Sequence, residues 1–129
     1  HQLRPESRGE AEMVQGWMRS QGIKHHILTW HHPPLNSAVQ RKARQARYHL
    51  LGEWCIKNKV STLITAHHLY DQWETFFMRL SKGSGLTGLC GMRPMIRMEF
   101  GQLIRPLLTV EPARLREMLR HWNHPFVED

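Results

Sequence analysis

Apolar and polar positions along the chain switch between two periods. Residues 60–66 hold Val60, Leu63, Ile64 and Ala66 in a short, partly β-branched run without charge, the composition of a buried parallel strand. Directly after it Trp73, Phe76, Phe77 and Leu80 recur at i, i+3, i+4 and i+7, which predicts a helix with that stripe toward the core. Upstream, Ala11, Met13, Val14, Trp17 and Met18 fit a helix opened by Pro5-Glu6-Ser7 and closed by Gly22. Ile27, Leu28 and Trp30 predict a strand over 23–30, broken by His31-His32-Pro33-Pro34. Asn36 or Ser37 can cap the next helix, expected to end near Asn58 with Ala43, Ala46, Leu50 and Trp54 on its core face. Residues 81–92 are rich in glycine and read as a loop, and 95–104 as one or two short extended pieces around Gly101. Pro112 suits the first position of a last helix with a stripe of Leu115, Met118, Leu119 and Trp122.

Helix–strand–helix–strand–helix is the order of an α/β protein with a parallel sheet. A chain of 129 residues can hold one domain with its own core. Gly83-x-Gly85-x-x-Gly88 matches the letters of the dinucleotide fingerprint. A helix precedes it where that fingerprint needs a strand, which excludes a Rossmann dinucleotide site here.

The chemistry concentrates in Ala66-His67-His68-Leu69-Tyr70-Asp71-Gln72-Trp73-Glu74-Thr75. Two histidines and two carboxylates there collect at the carboxyl end of a strand and the first turn of a helix, the edge where open α/β sheets bind ligands. On spacing alone, Asp71 with Glu74 three residues later fits a helix-capping box equally well.

Net charge then narrows the partner. At +7 and a pI near 10.1 the chain suits a polyanion, RNA before membrane, since no amphipathic basic helix stands out. Arg41, Lys42, Arg44 and Arg47 crowd the start of one helix, either as a solvated face or as substrate contacts. Cys55 and Cys90 form no C-x-x-C and read as reduced structural thiols of a cytoplasmic protein. No apolar run has the length of a membrane span and no signal peptide is visible. The helical H-E-x-x-H zinc pattern and the deaminase H-x-E…P-C-x-x-C set are both absent.

Taken together, Ala66-His67-His68-x-x-Asp71-Gln72-x-Glu74-Thr75 and Arg79-Leu80-x-Lys82-Gly83-Ser84-Gly85-Leu86-x-Gly88-Leu89 resemble the tRNA(Ile)-lysidine synthetases, N-type ATP pyrophosphatases that carry a PP-loop. His1-Gln2-Leu3-Arg4-Pro5-Glu6-Ser7 resembles that family's DHGLRPES. Ala43-Arg44-x-Ala46-Arg47-Tyr48, Arg105-Pro106-Leu107-Leu108 and Trp122-x-x-x-x-Val127-Glu128-Asp129 find counterparts in the same order. The resemblance implies a parallel-sheet, Rossmann-like PP-loop ATP pyrophosphatase domain of the adenine nucleotide alpha-hydrolase-like kind. Residues 1–129 would form a single, incomplete catalytic domain. The family's S-G-G-x-D-S phosphate cradle has no counterpart, since Ser-Gly-Gly occurs nowhere. The first strand, PP-loop and first helix are therefore expected upstream of His1, and the chain alone is expected to be inactive.

The activity implied is ATP-dependent ligation of free lysine to the wobble cytidine of the minor isoleucine tRNA with a CAU anticodon, using Mg²⁺. By resemblance His68, Asp71, Glu74 and Arg79 are catalytic, with Asp71 also near the metal. Lys82, Arg105, Arg44 and Arg47 would meet ATP or RNA phosphate. Three positions depart from the family pattern: Gln2 replaces a glycine, Tyr70 an acidic residue, and Lys82 an arginine whose bidentate fork it lacks. Two other readings are a PP-loop tRNA-thiolating enzyme, whose paired C-x-x-C cysteines are absent here, and a non-catalytic RNA-binding or scaffold fragment of the same fold.

Overall fold

Three helices of the described chain end on the same device. In the computed structural model, which describes residues 7–31, 37–83, 85 and 88–127, α1 spans Ser7–Ser20 and α2 Val39–Lys57. Past α1, the Gly22 N–H donates to Arg19 O at 3.0 Å and the Ile23 N–H to Met18 O at 2.9 Å, with Gly22 at φ 69°. This is a Schellman ending, and it places Gly22 at C′ as the sequence predicts. Past α2 the same pair of bonds runs from Lys59 to Ile56 and from Val60 to Cys55, and here the left-handed residue is Lys59 at φ 55°. The last helix, α4 (Pro112–His121), closes likewise on Asn123, at φ 50°.

The chain divides into two compact units, one built on residues up to Trp54 and one on Cys55–Phe126. In the first, α1 is followed by residues 23–31 without a strand ladder, which corrects the expected strand. Backbone groups form a strand only against a partner edge, and no described strand pairs with this segment. Helix α2 opens with the Lys42 N–H bonded to Ala38 O at 3.0 Å, so Ala38 occupies the place expected of Ser37. Ala43 is buried on its inner face and Ala46, Leu50 and Trp54 are half-buried, as their spacing predicts. Asn36 as a cap, the helix-opening Pro5 and Glu6, and the breaker His32-Pro33-Pro34 lie outside the described residues.

The second unit is a three-stranded sheet with α3 (Leu69–Ser81) and α4. Strand β1 (Thr62–Ile64) pairs in parallel with β3 (Gly101–Ile104), Leu63 opposite Leu103. Strand β2 (Met95–Met98) pairs antiparallel with β3 through the two-residue turn Glu99-Phe100, giving the order β1-β3-β2. The sheet is therefore mixed; its parallel pair is the expected one, and β2 joins it as half of a hairpin. Leu103 on the central strand is fully buried, with Cys55, Met92 and Leu108 also in the core. Gly101 is required twice over: its φ is 141°, and a Cβ there would fall on the carbonyl of Ser61.

Apolar expectations turn around on three elements. β1 is an edge strand whose Ile64 is exposed, where its composition predicts full burial. Three of the four stripe residues of α3 face outward, with Trp73 51%, Phe77 58% and Leu80 50% exposed. Its inner side carries Gln72, Phe76 and Arg79 instead, because the two polar side chains are drawn to the loop described below. On α4 Pro112 starts the helix and is buried, while Met118 and Trp122 of the expected stripe are exposed.

Candidate functional site

The first turn of α3 is held by the residues expected to do chemistry. His68 is its N-cap, extended at φ −121°, and Asp71 is its third helical residue. The His68 N–H donates to Asp71 Oδ2 at 2.7 Å, the reciprocal half of a capping box. His68 Nδ1 lies 3.1 Å from the same oxygen, at ion-pair distance, with both side chains about one-third exposed at 31% and 32%. Asp71 thus caps the helix from inside the first turn; it is not the N-cap that its spacing to Glu74 allows. Its other oxygen, Oδ1, takes no part in the cap. Thr65 Oγ1 and His67 Nδ1 are 2.9 Å apart just before this turn, and Glu74 is exposed one turn further along.

Topology brings other segments to the same edge. The Thr65 N–H bonds to Ile104 O at 3.0 Å and the Leu69 N–H to Val110 O at 3.0 Å, so the chain leaving β1 and the chain leaving β3 run side by side. Because β2 is antiparallel and starts with Met95 opposite Ile104, the residues before it also lie at the carboxyl end of the parallel pair. That is the ligand-binding edge of an open α/β sheet.

Arg79 and Arg105 both turn their guanidinium groups onto backbone carbonyls. Arg79 is half-buried, and its Nη1 donates to Gly88 O at 2.7 Å and Gly91 O at 3.1 Å. Arg105 is only 5% exposed and donates from Nη1 to Arg93 O at 2.9 Å, leaving Nε buried without a partner. Both guanidinium groups are thus committed to backbone carbonyls rather than presented to solvent. Lys82 is the exposed C-cap of α3, roughly 16 Å along the helix from Asp71 at 1.5 Å per residue. Gln72, which sequence reasoning passed over, makes a two-point contact with one residue. Its Oε1 accepts the Met92 N–H at 2.6 Å and its Nε2 donates to Met92 O at 2.9 Å. Its adjacency to Asp71 was visible in the sequence; its partner, 20 residues away, was not.

Arg44 and Arg47 belong to the first unit. Arg44 lies over the Tyr48 ring at 5.3 Å, a cation–π contact. Arg47 lines a cavity of about 250 Å³ with His26, Leu28, Trp30, Leu50 and Leu51. Ser84, Leu86 and Thr87 of the glycine-rich motif, together with Glu128 and Asp129, lie outside the described residues.

A metal must be judged on the donors present. Among the described residues no three His, Cys, Asp or Glu side chains gather as a metal cage. Mg²⁺ needs none when one carboxylate holds it alongside substrate phosphates and water, and Asp71 Oδ1 fits that limited role. Among the described residues no helix is long and apolar enough to cross a membrane.

Comparison with known proteins matches residues 1–129 to a family described as a PP-loop domain. A tRNA(Ile)-lysidine synthase of Wolbachia sp. subsp. Brugia malayi is 42% identical over 130 residues, covering all of this chain and 30% of that protein. One from Bradyrhizobium sp. is 42% identical over 129 residues, covering all of this chain and 36% of that protein. A third, from Novosphingobium aromaticivorans, is 41% identical over 136 residues, covering 96% of this chain and 41% of that protein. The chain thus spans well under half the length of these relatives.

Proposed function

Because the chain belongs to the PP-loop domain family, we propose that it serves as part of the catalytic domain of an ATP-dependent tRNA(Ile)-lysidine synthetase. The reaction is the one the relatives' name suggests. ATP adenylates the wobble cytidine of a minor isoleucine tRNA with a CAU anticodon and releases pyrophosphate. The amine of free lysine then displaces AMP, forming a carbon–nitrogen bond and losing a proton. The observation that carries this reading is the His68–Asp71 turn at the carboxyl edge of the parallel pair, in a chain similar along its whole length to these enzymes.

In this reading Asp71 turns the carboxylate oxygen that the cap leaves free toward either Mg²⁺ or the lysine amine. An amine must be neutral to attack, so a carboxylate that can take up a proton serves the second step. His68 borders the nucleotide and shares its Nδ1 side with Asp71. Glu74 adds negative charge toward the lysine. Mg²⁺, held by Asp71 and the phosphates, would supply charge neutralisation at the transferred group. Arg79 and Arg105 act through the loop carbonyls that they fix, while Lys82, Arg44 and Arg47 offset RNA phosphate. A cytoplasmic location accords with these substrates.

The test is a graft. Residues 1–129 replace the matching segment of the Bradyrhizobium relative, and ATP-dependent transfer of labelled lysine to an isoleucine tRNA transcript is measured. The graft is expected to transfer lysine, and Asp71→Asn within it to lose on the order of 100-fold or more in rate. A graft that folds yet neither consumes ATP nor labels tRNA would rule the reading out.

A further inference from the structure

The stretch between the glycine-rich loop and β2 is pinned at every carbonyl. Met92 O accepts from Gln72 Nε2 at 2.9 Å, Arg93 O from Arg105 Nη1 at 2.9 Å, and Pro94 O from the Arg105 N–H at 2.7 Å. Met92 N–H is taken by Gln72 Oε1, and Pro94 adds its own fixed φ. Just before this stretch Gly91 is at φ 69°, and a Cβ on it would lie 2.8 Å from Gln72 Oε1, so the backbone is pressed against α3.

From this fixed backbone one charged side chain is left outside. Arg93 is exposed, and among the described residues no carboxylate forms an ion pair with it. Beneath it lies the buried guanidinium of Arg105, bonded to Arg93's own carbonyl and with Nε unpaired. A buried cation without a carboxylate is costly unless an anion comes near, and it raises the potential at the surface above it. The place is the carboxyl edge that also carries His68 and Asp71, since Met95 pairs with Ile104 and Thr65 bonds to Ile104 O.

We propose that Arg93 is a phosphate contact, and that Gln72 and Arg105 are positioning residues that present it on a rigid backbone. Holding the backbone removes part of the ordering cost of binding, and a guanidinium matches phosphate oxygens in a bidentate fork. The proposal rests on the reading that this edge handles ATP and tRNA. It adds a contact that is independent of Asp71. The phosphate belongs either to tRNA or to the nucleotide, and the two arms of the experiment separate these sources.

The test compares the graft of residues 1–129 with its Arg93→Gln, Arg93→Lys and Gln72→Ala variants, each shown to be folded by circular dichroism. One arm titrates tRNA over a salt series and the other titrates ATP with Mg²⁺. If the phosphate is that of tRNA, Arg93→Gln weakens tRNA binding and makes the slope of log affinity against log salt shallower by about 0.7–0.9, with ATP unaffected. If it is the nucleotide's, only the ATP arm weakens. Arg93→Lys should restore part of the lost affinity in whichever arm responds. In Gln72→Ala the Met92 amide should exchange with solvent about tenfold faster or more, and the same arm should weaken. Adding Arg93→Gln to Gln72→Ala should then cost less than it does alone. Wild-type affinity in both arms for Arg93→Gln overturns the contact; full affinity in Gln72→Ala despite a freed Met92 amide overturns the positioning role. Lysine transfer by the graft is read separately, so a failed contact is distinguishable from a failed enzyme assignment.

Discussion

One carboxylate oxygen of Asp71 caps the helix and faces a ring nitrogen: the His68 N–H donates to Asp71 Oδ2 at 2.7 Å, and His68 Nδ1, without a hydrogen bond of its own, stands 3.1 Å from it. One residue therefore serves stability and the proposed chemistry, and substitutions can pull the two apart. Asp71→Asn keeps an acceptor for the backbone but loses negative charge at the helix start, a cost of about 0.5 kcal/mol. Asp71→Ala loses the bond as well and should cost about 1 kcal/mol in total. Both are expected to end lysine transfer in the graft. Thermal melts beside transfer assays decide the matter; an Asn variant with full activity would leave Asp71 as a cap alone.

Lys59 offers a gain in stability. It holds φ 55° at the C′ position of α2, a conformation that costs a side-chain-bearing residue about 1 kcal/mol or more and glycine almost nothing. Lys59→Gly should raise the unfolding free energy by about 1 kcal/mol, whereas Lys59→Ala should change it little. A denaturant titration in which the glycine variant unfolds earlier than its parent would contradict this account.

Gly101 predicts the opposite sign. Any Cβ there meets the Ser61 carbonyl, and the φ of 141° is hostile to side chains. Gly101→Ala should therefore cost roughly 3 kcal/mol or more through strain and overpacking, and it should loosen the β1–β3 pairing first. Amide exchange at Gln102, whose N–H donates to Ser61 O, is the local probe. Protection there equal to wild type would show that the strands can shift to accommodate the methyl group.

The two thiols should separate cleanly. Cys55 is buried and Cys90 exposed, and neither is in a disulfide. Burial pushes the Cys55 thiol up from its ordinary value. Because the neutral form is favoured in the folded state, this contribution is complete below the unfolded thiol pKa of about 8.5. It declines as pH rises through and beyond that value. Iodoacetamide at neutral pH should label Cys90 quickly and Cys55 only under denaturing conditions. Prompt double labelling in native buffer would contradict the buried core position.

The basic start of α2 is the remaining test of RNA contact. Arg41, Lys42, Arg44 and Arg47 are all exposed near the positive end of the helix dipole, with no acidic residue in the first turn. An Arg44→Gln/Arg47→Gln variant should bind tRNA more weakly, with a salt slope shallower by up to about 1.4–1.8 for two lost contacts. Identical affinity and slope would assign these side chains to Tyr48 and the cavity at Leu50 alone.

What could be read in advance was local. Gly22 at a helix end, Pro112 at a helix start, and the passage from β1 into α3 are decided by residues a few positions apart. The commitments of Arg79, Arg105 and Gln72 are decided by carbonyls and amides 9 to 20 residues away, and charge alone does not reveal them. Periodicity likewise shows that α3 has an apolar stripe but not which way it turns. Trp73 and Phe77 stack on each other at 6.1 Å in the open because the inner side is claimed by Gln72 and Arg79. Asn123 in a left-handed turn is a familiar preference; Lys59 in the same role carries no signal in its letter.

The register of the small sheet also sets a timetable. Met98 and Gly101 pair across a two-residue turn, whereas Thr62 must find Gln102 forty positions along the chain. A hairpin closes in about 1–10 μs, while distant pairings wait on a larger loss of chain entropy. The β2–β3 hairpin should thus form early and β1 join it late. The backbone around Arg93 depends on Gln72 and Arg105 from two separate elements. Its pinning, and the meeting of the two chain segments beside His68, should therefore be among the last events of folding.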